Sequence, residues 1–205
     1  HSESARAYIS KGFLEEAKTI ATENVSTFSA LVSNDIPLLG IEPSAILGFR
    51  DEYPNLVDAT LKSNAEHLAQ NVFTIEEFLT NEINAQKIDV SKFTTKAETV
   101  YYHGHCHQKA LSSNVFAETV LGLPLNYKVE TVDSGCCGMA GSFGYEKEHY
   151  DLSQQIGEDR LFPSLRKLNT EVIISASGTS CRHQIRDGVH KLALHPIEVL
   201  YNALN

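Results

Sequence analysis

Three short strand-like runs, each followed by a helical segment, constrain this chain more than any other feature. They are Thr99-Val100-Tyr101-Tyr102-His103, Tyr127-Lys128-Val129-Glu130-Thr131-Val132 and Glu171-Val172-Ile173-Ile174-Ser175. Helical stretches are expected from Cys106 to Leu121, from Glu146 to Leu168 and from Ser180, with a last helix from Pro196. The first half repeats the plan with fewer strands. Phe13, Leu14, Ala17, Ile20 and Ala21 recur at helical spacing between Lys11 and Ser33, and Ile36 to Ile41 reads as a buried strand that turns at Glu42-Pro43-Ser44. Helices over Tyr53 to Val72 and Thr74 to Asn84 follow, and Asn84 to Lys96 is a polar connector. Strands alternating with helices build parallel sheets, because a helical crossover returns the chain to the same end of the sheet. The expected class is α/β: two similar Rossmann-like lobes with mainly parallel sheets flanked by helices, residues 1–90 and 91–205.

The lobes also share residues. Ser44-Ala45 and Arg50-Asp51 match Ser180-Cys181 and Arg186-Asp187 at the same spacing, each pair directly after a buried strand. A strand end that opens a helix is where α/β folds place chemistry, since backbone N–H groups and the helix dipole converge there. The second copy has a cysteine where the first has Ala45. Two copies of one lobe, with only the second equipped to ligate, is the expectation.

The chain has four cysteines, Cys106, Cys136, Cys137 and Cys181, each after one of the three strands of the second half. One sheet edge can therefore gather four thiolates. Soft thiolates select iron–sulfur clusters, zinc or copper(I). Adjacent side chains such as Cys136 and Cys137 fit the several corners of a multi-iron cluster better than the angles of one tetrahedral ion, although four thiolates also make a structural zinc site. A thiol–disulfide switch at the vicinal pair is a further alternative, strained by adjacency. Gly138 lets backbone approach the centre. His103, His105 and His107 alternate along an extended segment and share a face if the strand continues, as a metal site, a proton relay or caps of the loop. His105, His107 and His183, the last two residues beyond Cys181, are candidates to support the ligands along with Gly138.

Bulk properties narrow the classes. A hydrophobic fraction of 42% over 205 residues supports a real core and argues against a disulfide-stapled secreted scaffold. The net charge of -9 and a pI near 5.4 argue against nucleic acid as partner. No apolar run approaches the roughly 20 residues of a membrane span. The expected place is cytoplasmic, with a peripheral position at the inner face of a membrane as the option. There is no Gly-x-Gly-x-x-Gly fingerprint between a strand and a helix, so any flavin sits elsewhere. The abrupt start reads as part of something longer.

The segments His103-Gly104-His105-Cys106-His107-Gln108-Lys109-Ala110-Leu111, Ser134-Gly135-Cys136-Cys137-Gly138-Met139-Ala140-Gly141-Ser142 and Gly178-Thr179-Ser180-Cys181-Arg182-His183-Gln184 together resemble the cysteine-rich Cys-Cys-Gly (CCG) domain. That domain occurs in the B subunit of heterodisulfide reductase, the iron–sulfur subunit of glycolate oxidase and the C-terminal part of FAD-linked oxidases of the D-lactate or D-2-hydroxyglutarate dehydrogenase type. The resemblance implies two CCG repeats, with Cys106, Cys136, Cys137 and Cys181 binding a cluster, [4Fe–4S] or else zinc, in the second. It implies FAD in another domain, FAD-binding and ferredoxin-like segments of the same enzyme as partners, and electron flow from a 2-hydroxy acid to a quinone or carrier protein. The chain departs from the pattern in three places. Glu3-Ser4-Ala5 replaces the first Cys-Cys-Gly, Ala45 replaces a cysteine, and Gln184 stands where a fifth cysteine of the second repeat would be. The first repeat is thus expected to be structural.

Overall fold

In the computed structural model, which describes residues 3–205, the chain forms two compact units, His1–Ile75 and Glu76–Asn205. The division expected at residue 90 lies in the connector after the first helix of the second unit.

The first unit contains α1 (Arg6–Lys11), α2 (Leu14–Phe28), β1 (Leu38–Gly40), α3 (Pro43–Ile46), α4 (Tyr53–Leu56), α5 (Lys62–Gln70) and β2 (Val72–Thr74). Strands β1 and β2 pair in parallel, Leu38 opposite Val72. The helix expected over Lys11 to Ser33 is interrupted at Gly12, whose φ of 78° ends α1, and continues from Leu14. Residues Ala17, Ala21 and Val25 give α2 a buried stripe at helical spacing. A long helix from Tyr53 does not form: Val57 leaves the helical region with ψ 159°, and the chain resumes at Lys62. The core gathers Leu47, Phe49, Tyr53, Ala65 and Leu68, with the Phe49 and Tyr53 rings 4.3 Å apart.

The second unit contains α6 (Ile75–Asn84, which starts at the boundary), β3 (Glu98–His103), α7 (Cys106–Leu111), α8 (Asn114–Leu121), β4 (Tyr127–Thr131), α9 (Tyr150–Asp159), α10 (Leu161–Arg166), β5 (Ile173–Ala176), α11 (Thr179–Val189), β6 (Ala193–Leu194) and α12 (Pro196–Asn202). Its four strands are all parallel in the order β4-β3-β5-β6. Period-two alternation feeds both faces of the sheet. Val100, Tyr102 and Ile173 pack with Ala117, Leu121 and Val199 on one face, while Tyr101, Ile174 and Ala176 meet Leu161, Phe162, Leu165 and Ile185 on the other. Helices on both sides of a parallel sheet make the α/β layering read from the sequence.

Two expected helices are each broken. The segment from Cys106 to Leu121 stops at Ser112 and restarts where the Ser113 hydroxyl accepts the Val115 N–H at 3.2 Å, a serine cap overriding the apolar period. The segment from Glu146 opens with short 3-10 turns and breaks at Arg160 (φ -142°) ahead of Pro163, which has no N–H to continue the ladder. Strands β2 and β6 were not expected from the sequence. Each is too short to show a period.

Candidate metal centre

Strand β3 ends at His103, and His105 then caps α7, its Nδ1 accepting the His107 N–H at 3.1 Å. The cap places Cys106 at the first position of the helix. Strand β4 leads into the loop that carries Cys136 and Cys137, and β5 leads through Ser177 and Gly178 to α11, with Cys181 in its first turn. Strands β4, β3 and β5 are neighbours in the sheet, so the three cysteine-bearing loops leave adjacent carboxyl ends. Parallel pairing thereby turns sequence positions tens of residues apart into one locus.

The sulfurs form a continuous series. Cys106 hydrogen-bonds Cys136, Cys136 hydrogen-bonds Cys137, and Cys137 lies 3.4 Å from Cys181, sulfur to sulfur. The series runs from the surface inwards: Cys106 is exposed, Cys136 half-buried, and Cys137 and Cys181 are only 4% and 1% exposed. Acidities alternate along it. The hydrogen bond to Cys136 and then burial push the Cys106 thiol up. The bonds from Cys106 and Cys137 pull Cys136 down to about 2. Cys137, bonded to Cys136 and Cys181 and buried, is raised, while Cys181 is lowered, first by its bond with Cys137 and further by the adjacent His103. Cys136 and Cys181 are thus the sulfurs biased toward the thiolate, which is the ligating form.

The expected supporting residues have distinct fates. Gly138, at φ 98°, points its N–H at Cys136 Sγ, 3.3 Å away, and a Cβ there would fall on the Ser153 carbonyl oxygen. His105 is the helix cap, its ring against Gly178, and the His107 ring stacks 6.4 Å from it. His183 is engaged through Nδ1 by the Tyr145 hydroxyl at 2.9 Å. Gln184, in the place of a fifth cysteine, bonds the Ser153 carbonyl and hydroxyl through Nε2, both at 3.0 Å, and accepts from Gln154 through Oε1 at 3.1 Å. It fastens α11 to α9.

Of the three alternating histidines, His103 is the one that groups with the sulfurs. The donor atoms of His103, Cys137 and Cys181 all lie within 4.8 Å of one another, and all three residues are buried. Four soft sulfurs and a buried imidazole suit an iron–sulfur centre or zinc.

The same region recurs in known dehydrogenases. The chain is 27% identical over 191 residues to D-2-hydroxyglutarate dehydrogenase from Escherichia coli (strain K12), covering 93% of this chain and 18% of that protein. The Haemophilus influenzae protein of the same name is 28% identical over 201 residues, 95% of this chain and 19% of its own length. The C subunit of anaerobic glycerol-3-phosphate dehydrogenase from Escherichia coli (strain K12) is 27% identical over 198 residues, 96% of this chain and 48% of its own length. The chain therefore spans less than a fifth of the first kind of relative and about half of the second. No family model matches it, and no solved structure does.

A buried polar series that the sequence did not disclose anchors the cysteine loops. The Tyr102 hydroxyl donates to Gln108 Oε1 at 2.9 Å and lies 3.0 Å from the Ser177 hydroxyl, which donates to Glu76 at 3.1 Å. His195 Nε2 lies 3.5 Å from the same Glu76 oxygen. Strand β3, the start of α7, the turn after β5 and α6 are so held together. Among the described residues, no helix is long and apolar enough to cross a membrane.

Proposed function

We propose that this chain is the electron-transfer domain of an FAD-linked oxidoreductase that oxidises a 2-hydroxy acid, with Cys106, Cys136, Cys137 and Cys181 holding a [4Fe–4S] cluster. The observation that carries the reading is the convergence of the four sulfurs at the ends of three adjacent parallel strands. When bound, such a cluster supplies a one-electron carrier. The protein contributes the soft ligands, a Gly138 N–H donor to the Cys136 sulfur, and burial of Cys137 and Cys181 from water. Cys106 lies on the solvent side, where electrons would enter or leave.

The relatives named as dehydrogenases support an oxidoreductase, and the resemblance to the CCG domain supports a flavin donor held in another segment, beside ferredoxin-like segments of the same enzyme. The acceptor is a quinone or a carrier protein, and the place of action is the cytoplasm or the inner face of a membrane. The first unit is structural in this reading: Ser4, Ala5 and Ala45 stand where cysteines and a glycine would be needed. Ala5 keeps a left-handed φ of 59°, the region that Gly138 occupies in the second unit.

Anaerobic purification should give brown protein with thiolate-to-iron absorption, bleached by Cys136→Ser or Cys181→Ser. Colourless protein after reconstitution with iron and sulfide overturns the proposal. A zinc-stabilised docking domain is the second reading, favoured by the compact His103, Cys137 and Cys181 group, a donor set that zinc also accepts. One zinc and no iron on metal analysis selects it.

A further inference from the structure

His103 is fully buried at the carboxyl end of β3, the strand that lies between the other two cysteine-bearing ones. Its Nδ1 lies 2.7 Å from the Ser134 hydroxyl. Its Nε2 is buried without a well-formed hydrogen bond, the ring lies against the Cys181 sulfur whose acidity it raises, and the ring's donor atom lies within 4.8 Å of the Cys137 and Cys181 sulfurs. A buried imidazole nitrogen left without a well-formed partner is costly, so a native fold keeps such an atom where something else satisfies it.

We infer that His103 is itself a ligand of the thiolate centre, through Nε2, and that Ser134 is the residue that aims it. The inference rests on the metal-binding reading above and deepens it. A histidine that gives its Nδ1–H to an oxygen acceptor has its lone pair on Nε2, the arrangement in which metal-bound histidines are held by a second hydrogen bond. Among the described histidines His103 is the one whose donor atom groups with two of the sulfurs, and the amide of Gln184 is taken up by Ser153 and Gln154. A chain with glutamine in place of a further cysteine thus has a nitrogen donor available from the central strand. A neutral nitrogen in a thiolate set also raises the reduction potential relative to sulfur alone.

His103→Asn separates ligation from folding, since its amide can bond Ser134 where Nδ1 stood but has no atom at the Nε2 position. The protein is produced with 15N-histidine, reconstituted with iron and sulfide, reduced, and examined by pulsed EPR. The expected result is the strong coupling of a directly bound 15N, lost in His103→Asn although the protein remains folded by circular dichroism. A strong coupling that persists in His103→Asn, or only the weak coupling of a nearby ring, overturns the assignment while leaving the cluster reading intact. Protein that takes up no iron fails the cluster reading, and Co2+ then serves as the probe. Its visible bands should differ between the parent and His103→Asn, and Ser134→Ala should bind Co2+ roughly tenfold or more weakly. Identical Co2+ spectra, or no Co2+ binding, overturn the ligand role as well.

Discussion

Gly138 has φ 98°, and a methyl group there would meet the Ser153 carbonyl. Backbone strain and overpacking each cost about 1–3 kcal/mol, so Gly138→Ala should destabilise the protein by roughly 3 kcal/mol or more in urea unfolding. Gln184→Ala removes three hydrogen bonds from a buried site. Its expected cost is about 2–3 kcal/mol, read as a lower urea midpoint at unchanged slope. The metal-free thiols offer a third test. Cys136 is half-buried with its acidity raised by bonds from Cys106 and Cys137, so it is already a thiolate at pH 6. Peptide mapping should show Cys136 alkylated at a rate nearly independent of pH between 6 and 9, with Cys137 and Cys181 protected by burial. A rate that climbs tenfold per pH unit contradicts this. The cysteines were legible in the sequence because a vicinal thiol pair beside a glycine has few structural uses. His103 was named with His105 and His107 but not separated from them, because which of the three rings faces the sulfurs is fixed only by the fold around β3.

Among the elements, the strands that carry the cysteines were the most legible. Strands β3 and β5 have apolar residues for both faces of the sheet and run into helix starts, and β4 alternates Tyr127 and Val129 with Lys128 and Glu130 as an edge strand does. Helix continuity was less legible, since the Ser113 cap and the Arg160-to-Pro163 break act within one turn while periodicity is read over several. The connection from β3 to α7 depends on Tyr102, whose hydroxyl joins Gln108 to Ser177 in the interior. Tyr102→Phe leaves the Gln108 oxygen buried without a donor. The expected loss is about 1–3 kcal/mol, measured by thermal or urea unfolding, and a change below about 0.5 kcal/mol would show that the series is not structural.

At the scale of the whole molecule, each unit has a buried tyrosine that makes folding sensitive to alkali. Burial pushes Tyr53 up to about 12, against a smaller opposing effect from its bond with Asn24, and burial pushes Tyr102 up as well. Below pH 10 both states keep the phenol proton and stability is unaffected. Between pH 10 and about 12 the unfolded chain loses the proton while the folded one retains it, so stability falls as pH rises, by up to about 1.4 kcal/mol per unit for each tyrosine. Urea midpoints at pH 9 and pH 11 measure the effect, and equal midpoints would exclude it. The chain divides between Ile75 and Glu76, where β2 runs directly into α6.

The central claim, that four thiolates from three loops hold one iron–sulfur cluster, is tested most directly by iron, acid-labile sulfide and zinc analysis of anaerobically prepared protein. Iron and sulfide in equal amounts, about four of each per chain as the [4Fe–4S] assignment requires, should accompany negligible zinc, and both should be lost in Cys181→Ser. Stoichiometric zinc without sulfide, unchanged by anaerobic handling, would contradict it.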